Sequence, residues 1–401
     1  MMPKTPTYVS AVLSALKLRH PEPRALQALD DTGWTELLKF TDRMHLTLIL
    51  GKVCQDSLPA WVRSRVERNQ ADNCQRFEAI KAMYSEIADR FRDQQVEHLV
   101  LKGFAQASSF GRDPRLRFQS DLDLYCPESS LLRARQCLSE MGYTPVKWCE
   151  YFPSDQHLNS VMRHGSWEWR DNWFDPEMPL AVEIHFRFWN EESARFDLPG
   201  VDQFWPRRTE QQMDGLTFPA MDSVDCLAYA CMHALRHIVY GSLVIGHIYE
   251  VAWFLHANAD NRAFWRRWLE LHHPSLRLVQ TICFRLAHDW FLCDIPREVD
   301  REMLRAPASV QRWFEEYGRS PLYTSFRPNK DGMLLHFSLI PSRDRFAFLS
   351  KGLVFRRPRS PKGLLEGQAG LMASRIVYHG RTLLPALKKS VGWWWSTRDL
   401  S

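Results

Sequence analysis

Residues 97–125, EHLVLKGFAQASSFGRDPRLRFQSDLDLY, decide the fold. The apolar run Leu99, Val100, Leu101 stops at Lys102-Gly103. A segment of mostly small residues follows, then a turn at Gly111-Arg112-Asp113-Pro114, and the stretch closes on Ser120-Asp121-Leu122-Asp123-Leu124. That order predicts strand, helix, loop, strand. Side chains alternate along a strand, so Leu122 and Leu124 enter a core while Asp121 and Asp123 project together from the opposite face. Two carboxylates on one face repel unless a cation or a proton lies between them. Hard oxygen ligands on a rigid strand suit Mg²⁺ or Mn²⁺. Gly103, at the turn from strand to helix, lets backbone N–H groups approach a phosphate. The stretch reads as a phosphate-and-metal site.

Outward from it, 401 residues suffice for two or three domains and a sizeable core. With 45% hydrophobic and 25% charged residues the composition is that of a folded soluble chain, which excludes a disordered one. The net charge of +5 is too small to imply a nucleic-acid partner by itself, but it is uneven. Residues 341–401 hold 12 Lys and Arg against Asp344, Glu366 and Asp399, giving +9 there and −4 elsewhere. Nine cysteines without a CxxC pair point to free thiols in a reducing cytoplasm. The apolar start of the chain is short, broken by serines and without a cleavage site, so no signal peptide is expected. The longest apolar run, residues 238–255, contains Gly241, His247 and Glu250 and is expected to be a core helix rather than a membrane span.

Residues 1–95 read as helical. A helix begins near Asp31-Thr32, and Pro59 suits the first turn of a long one, in which Phe77, Ile80, Tyr84, Ile87 and Phe91 form a single apolar stripe for packing on its own domain. Pro127-Glu128-Ser129 opens a helix with Leu131, Ala134, Leu138 and Met141 on its apolar face and Gly142 as its stop. Residues 143–180 are rich in tryptophan, with strand pieces expected at 146–149 and 160–170. In residues 180–188, LAVEIHFRF, Val182, Ile184, Phe186 and Phe188 share one face and Glu183, His185 and Arg187 the other. Asp222 and Asp225 resemble a helix-start box. In the helix that follows, His233 and His237 stand at i, i+4 without the glutamate of a zinc HExxH. With Arg236 they form either a cationic face toward a triphosphate or a solvated one. His272-His273-Pro274 marks a helix end, and residues 318–345 read as loop. The basic segment 356–362 and Lys388-Lys389 with Trp393-Trp394-Trp395 suit an anionic membrane surface or a nucleic acid; the alternative is a helical tail folded on the body.

Taken together, Leu101-Lys102-Gly103, Arg117, Asp121-Leu122-Asp123-Leu124 and a helix ending at Gly142-Tyr143 resemble a bacterial family of uncharacterised nucleotidyltransferases within the DNA polymerase beta-like superfamily. Lys102-Gly103 stands where the superfamily usually has Gly-Gly or Gly-Ser, as it does in that family. Glu183-x-His185-x-Arg187 is similar to the family's later strand, and Glu250 departs from an Asp common there. The resemblance covers roughly residues 30–260. It implies a metal-dependent transfer of an NMP group from an NTP, with Asp121 and Asp123 holding Mg²⁺ or Mn²⁺ and Glu183 as third ligand or general base. By the same resemblance His185 and Arg187 lie nearby, and Lys102 and Arg117 are candidates for the triphosphate. Lys102 has an equal alternative as a surface charge capping its strand.

The expected architecture is α+β: a helical region at 1–95, a small mixed-sheet core at 96–215, a helical region at 216–317 and a basic, Trp-containing extension at 318–401. The expected function is nucleotidyl transfer to a hydroxyl or phosphate acceptor (sugar phosphate, peptide, protein or RNA) by a cytoplasmic protein, possible at the membrane periphery through its tail. The rival is a catalytically silent nucleotide-binding module that the tail recruits to membrane or RNA. Three adjacent acids argue against the rival, since a silent site has no chemical reason to keep them.

Overall fold

The computed structural model describes residues 5–146, 154–163, 165, 167–324, 326, 329–341, 344, 389, 392 and 393. Trp148, most of the strand expected at 146–149, the basic segment 356–362, Lys388, Trp394 and Trp395 lie outside the described residues.

Helix starts follow the capping chemistry. Helices α1 (Thr7–Ala15), α2 (Asp31–Arg43) and α3 (Thr47–Cys54) precede the 34-residue α4 (Ala60–Asp93). Asp30 caps α2 by accepting from the Gly33 N–H at 2.8 Å, worth about 1 kcal/mol. Pro59 precedes α4, whose stripe of Phe77, Ile80, Tyr84, Ile87 and Phe91 is fully buried against the sheet. Strands β1 (Leu99–Val100) and β2 (Asp121–Tyr125) flank helix α5 (Gly103–Ser109); α6 (Leu131–Glu140), β3 (Thr144–Pro145), β4 (Val161–Met162) and β5 (Ala181–His185) follow. After the short α7 (Glu191–Ala194) come β6 (Thr209–Met213) and β7 (Leu216–Ala220). Among the described residues the seven strands form one mixed sheet in the order β3-β4-β5-β2-β1-β7-β6.

Strand β2 runs parallel to β5 and antiparallel to β1, and β1 pairs in parallel with β7. The sheet therefore takes in residues 216–220. One face, with Leu122, Leu124, Val182 and Ile184, packs on α4 and α6. Beyond the sheet lie α8 (Ser223–Tyr240), α9 (Ile245–Ala257), α10 (Arg262–Leu271), α11 (Pro274–Phe291), α12 (Arg297–Leu304), α13 (Ala308–Tyr317), α14 (Ser320–Tyr323) and α15 (Asp331–Leu339). Helices α1–α3 share a second core with them, and the Leu18 N–H donates to the Phe291 carbonyl at 2.7 Å.

Four local expectations are corrected. The apolar run 238–255 is not one helix: Gly241, at φ 70°, ends α8 in a left-handed cap and α9 starts at Ile245. Residues 318–345 are not simply loop, because Pro321 occupies the first turn of α14 and Leu334, Leu335 and Phe337 bury α15. The strand expected at 160–170 is cut to Val161–Met162. Asp222 caps α8, accepting from Val224 N–H at 3.0 Å, but Asp225 turns inward to a bidentate pair with Arg207 and does not close the box. No disulfide forms among the described residues, and none of their helices is long and apolar enough to cross a membrane.

Candidate active site

Register brings the acids together. In the parallel pair β2·β5, Asp121 lies opposite Ala181, Asp123 opposite Glu183 and Tyr125 opposite His185, so Asp121, Asp123, Glu183 and His185 share the face turned from α4. Ligand atoms of Asp123, Glu183 and His185 lie within 4.8 Å of one another, close enough to hold one cation. The alternation of residues 182–188 ends with the strand: Phe186 is only half-buried, and Arg187 is exposed with its guanidinium over the Phe186 ring. Arg187 is thus not among the groups that meet at the acids.

Asp123 is the centre of the polar contacts. Its Oδ1 lies 2.7 Å from Lys102 Nζ and 2.8 Å from His185 Nε2. Burial pushes the Asp123 carboxyl up, but the Lys102 ammonium and the His185 hydrogen bond outweigh it and hold the group below the usual carboxylate range. An ionised Asp123 only accepts, so His185 donates from Nε2 and its Nδ1 carries the bare lone pair. That Nδ1 is buried without a hydrogen-bond partner among the described residues. Asp121 behaves oppositely: burial and then the neighbouring Asp123 charge push its carboxyl up to about 7. The two carboxyls are thus shifted in opposite directions, Asp123 by its cationic partners and Asp121 by burial and its neighbour. Lys102, whose burial alone would favour the neutral amine, is kept charged by Asp123 and Asp121.

Glu183 accepts from the Ser160 hydroxyl at 2.6 Å and lies 3.7 Å from His157 Nε2 and 3.8 Å from His185 Nε2. Ser160 and His157 come from the segment beside β5, where His157 bridges to His185. Gly103 has φ 60°, and a Cβ there would meet the Gln119 amide at 2.4 Å, so its space is filled by Gln119, which donates to the Asp121 carbonyl at 2.7 Å. The glycine is needed for the turn and for that contact. Arg117 is anchored by Glu250, with Nε 2.8 Å from Oε1, while Gln106 donates to the other oxygen at 2.8 Å. Glu250 thus fixes Arg117 below the cleft.

Helix α8 forms the facing wall. Lys102 and Tyr229 line one crevice, and burial pushes the Tyr229 hydroxyl up, with the Lys102 charge opposing. His233, Arg236 and His237 are each half-buried, so the face is neither fully solvated nor enclosed; burial and then the Lys102 charge lower His233 and His237. Arg236 donates to the Gln156 side chain and to Asp155 at 3.1 Å. Ser160, His157 and Tyr229 carry no local signature; only the folded sheet and α8 bring them near the acids.

Acids on the adjacent strands β2 and β5 thus stand together behind the turn at Gly103. The chain belongs to the uncharacterised nucleotidyltransferase family, whose model matches residues 30–292. No curated protein and no solved structure matches it.

Proposed function

We propose that the chain transfers an NMP group from an NTP to a hydroxyl or phosphate acceptor. The observation that carries this reading is the convergence of Asp123, Glu183 and His185, with Asp121 beside them, on one sheet face. Clustered carboxylates suit a hard divalent cation, and the His185 Nε2 that lies beside Asp123 and Glu183 orients them. Asp121, Asp123 and Glu183 would hold Mg²⁺ or Mn²⁺, which supplies charge stabilisation to the attacking and leaving oxygens.

The protein's own groups do the rest. Lys102 neutralises Asp123; with a cation held at the acids, its ammonium would be the group available to the triphosphate. Arg117, fixed by Glu250, adds positive charge from below. Glu183, oriented by Ser160, holds the metal or takes the acceptor's proton. His185 keeps Asp123 ionised and oriented.

The test is release of pyrophosphate, and transfer of α-phosphate label, from each NTP with and without Mg²⁺. No metal-dependent release from any NTP would sink the reading. One observation favours a silent nucleotide-binding module: the Lys102–Asp123 ion pair already satisfies the site's charge without a metal. Nucleotide binding without release in the same assay would select that alternative.

A further inference from the structure

His233 and His237 of α8 are joined by a third imidazole that their spacing did not disclose. The Nε2 atoms of His233 and His237 lie 3.1 Å apart. Two nitrogens on one tetrahedral zinc, each at about 2.0–2.1 Å, would be roughly 3.3–3.4 Å apart, so the pair already stands near the edge of such a site. The ring of His247, from the first turn of α9, has its centroid 4.9 Å from that of His233 and 5.8 Å from that of His237. His247 Nδ1 is buried and has no hydrogen-bond partner among the described residues.

The fold builds this grouping. Gly246 donates its N–H to the Met44 carbonyl at 2.9 Å, and a Cβ on Gly246 would stand 2.8 Å from that oxygen. Only glycine allows so close an approach. It seats the start of α9 on the turn between α2 and α3, and His247 comes to lie over α8. Ser242, just past the Gly241 cap, meets His237 Nδ1 at 3.0 Å, so the outer nitrogen of that ring is held while Nε2 faces inward.

We propose that His233, His237 and His247 form a binding site for a late first-row divalent metal such as Zn²⁺ or Co²⁺, separate from the carboxylate site. The nitrogens of the three rings do not converge as they stand, so a turn of the His247 ring would be needed to bring its nitrogen to the pair, with water completing the coordination. Imidazoles select such ions, whereas Mg²⁺ prefers the oxygens of the acids. Burial holds all three rings neutral, the form that ligates. The charges of Lys102, Arg117 and Arg236 reach these rings and oppose a cation there, each offset by a carboxylate partner: Asp123, Glu250 and Asp155. The metal would tie α8 to α9 above the acids, whether or not the acids transfer a nucleotide.

The experiment is a Co²⁺ titration of the full chain, freed of metal by chelator dialysis, in excess Mg²⁺. The expected result is the visible absorption of nitrogen-bound, low-coordinate Co²⁺, displaced by Zn²⁺. His233→Ala, His237→Ala and His247→Ala should each weaken binding more than about 100-fold, beyond what loss of an outer-shell partner costs. Asp121→Asn and Glu183→Gln should leave it within about threefold, as groups outside the coordination sphere do. A histidine variant that fails to fold gives the same loss, so X-ray absorption of Zn²⁺-loaded wild type counts the imidazoles directly, and three are expected. Fewer than three imidazoles, no Co²⁺ band, or a band lost only in the carboxylate variants would each overturn the site.

Discussion

Lys102 Nζ lies 2.7 Å from Asp123 Oδ1, placing a buried ammonium against the acid at the centre of the site. Removing it leaves a carboxylate that is 3% exposed with only His185 as partner. Lys102→Met should therefore cost about 3 kcal/mol in metal-free buffer, the usual penalty for breaking a buried pair. Mg²⁺ should return part of it by replacing the lost charge. Thermal melts with and without Mg²⁺ check this; a variant as stable as wild type in chelator would mean that the pair does not neutralise Asp123.

The two aspartates should differ when changed to asparagine. Asp121 is the member whose carboxyl is pushed up by burial and by Asp123, so Asp121→Asn relieves repulsion and should leave the metal-free melting temperature unchanged or higher. Asp123→Asn deprives Lys102 and His185 of their shared acceptor and should cost about 2–4 kcal/mol. Both should lower nucleotidyl transfer at least about 1000-fold, since several kcal/mol of charge stabilisation is lost. Denaturant melts and label transfer measure the two effects, and equal stability losses would contradict the opposite shifts of the two carboxyls.

Gly103→Ala tests the turn. A left-handed φ of 60° costs a non-glycine residue about 1–2 kcal/mol. The new Cβ must also push Gln119 off the Asp121 carbonyl. Activity should fall with stability, and Gln119→Ala in the same chain should restore part of the stability by clearing the clash. If the double variant melts no higher than Gly103→Ala, the clash with Gln119 is not what the alanine meets.

Acid should weaken the fold through His98, whose Nε2 lies 3.3 Å from the Tyr84 hydroxyl beneath the sheet. Burial pushes its pKa down to about 4, against about 6.5 in the unfolded chain. At pH 7 neither state binds the proton. Below about 6.5 the unfolded chain takes it up and the folded chain does not, so stability falls with pH until about 4. By pH 5 the loss from this one ring is about 1–2 kcal/mol. His98→Gln should lose less stability between pH 7 and 5 than wild type; parallel pH profiles would exclude His98 as the cause.

The acids were legible because a strand's period is fixed. Asp121 with Asp123, and Glu183 with His185, stand two residues apart, so alternation alone put each pair on one face. What set the pairs opposite each other was register across 60 residues of chain, and periodicity does not encode that. The same limit hid the partners that define each group's charge. Nothing near Arg117 announces Glu250, and nothing near His237 announces His247. The resemblance to a family proposed Lys102 for phosphate, yet its ion pair with Asp123 appears only when β1 and β2 lie side by side. Gly241 was visible as a residue but not as a helix end, because the apolar run continues past it on both sides. The tail's basic and tryptophan-rich segments lie mostly outside the described residues.

The hydrogen bond from Leu18 to Phe291 has a consequence in time rather than space. Helix α1 is made before the sheet, but α11, against which it closes, is made more than 200 residues later. At roughly 5–20 residues per second α1 waits at least about ten seconds for that partner. The sheet can gather its strands in that interval, once β7 at Leu216–Ala220 has emerged. Synthesis thus lets the sheet assemble before α11 closes on α1, the last of these contacts to become possible.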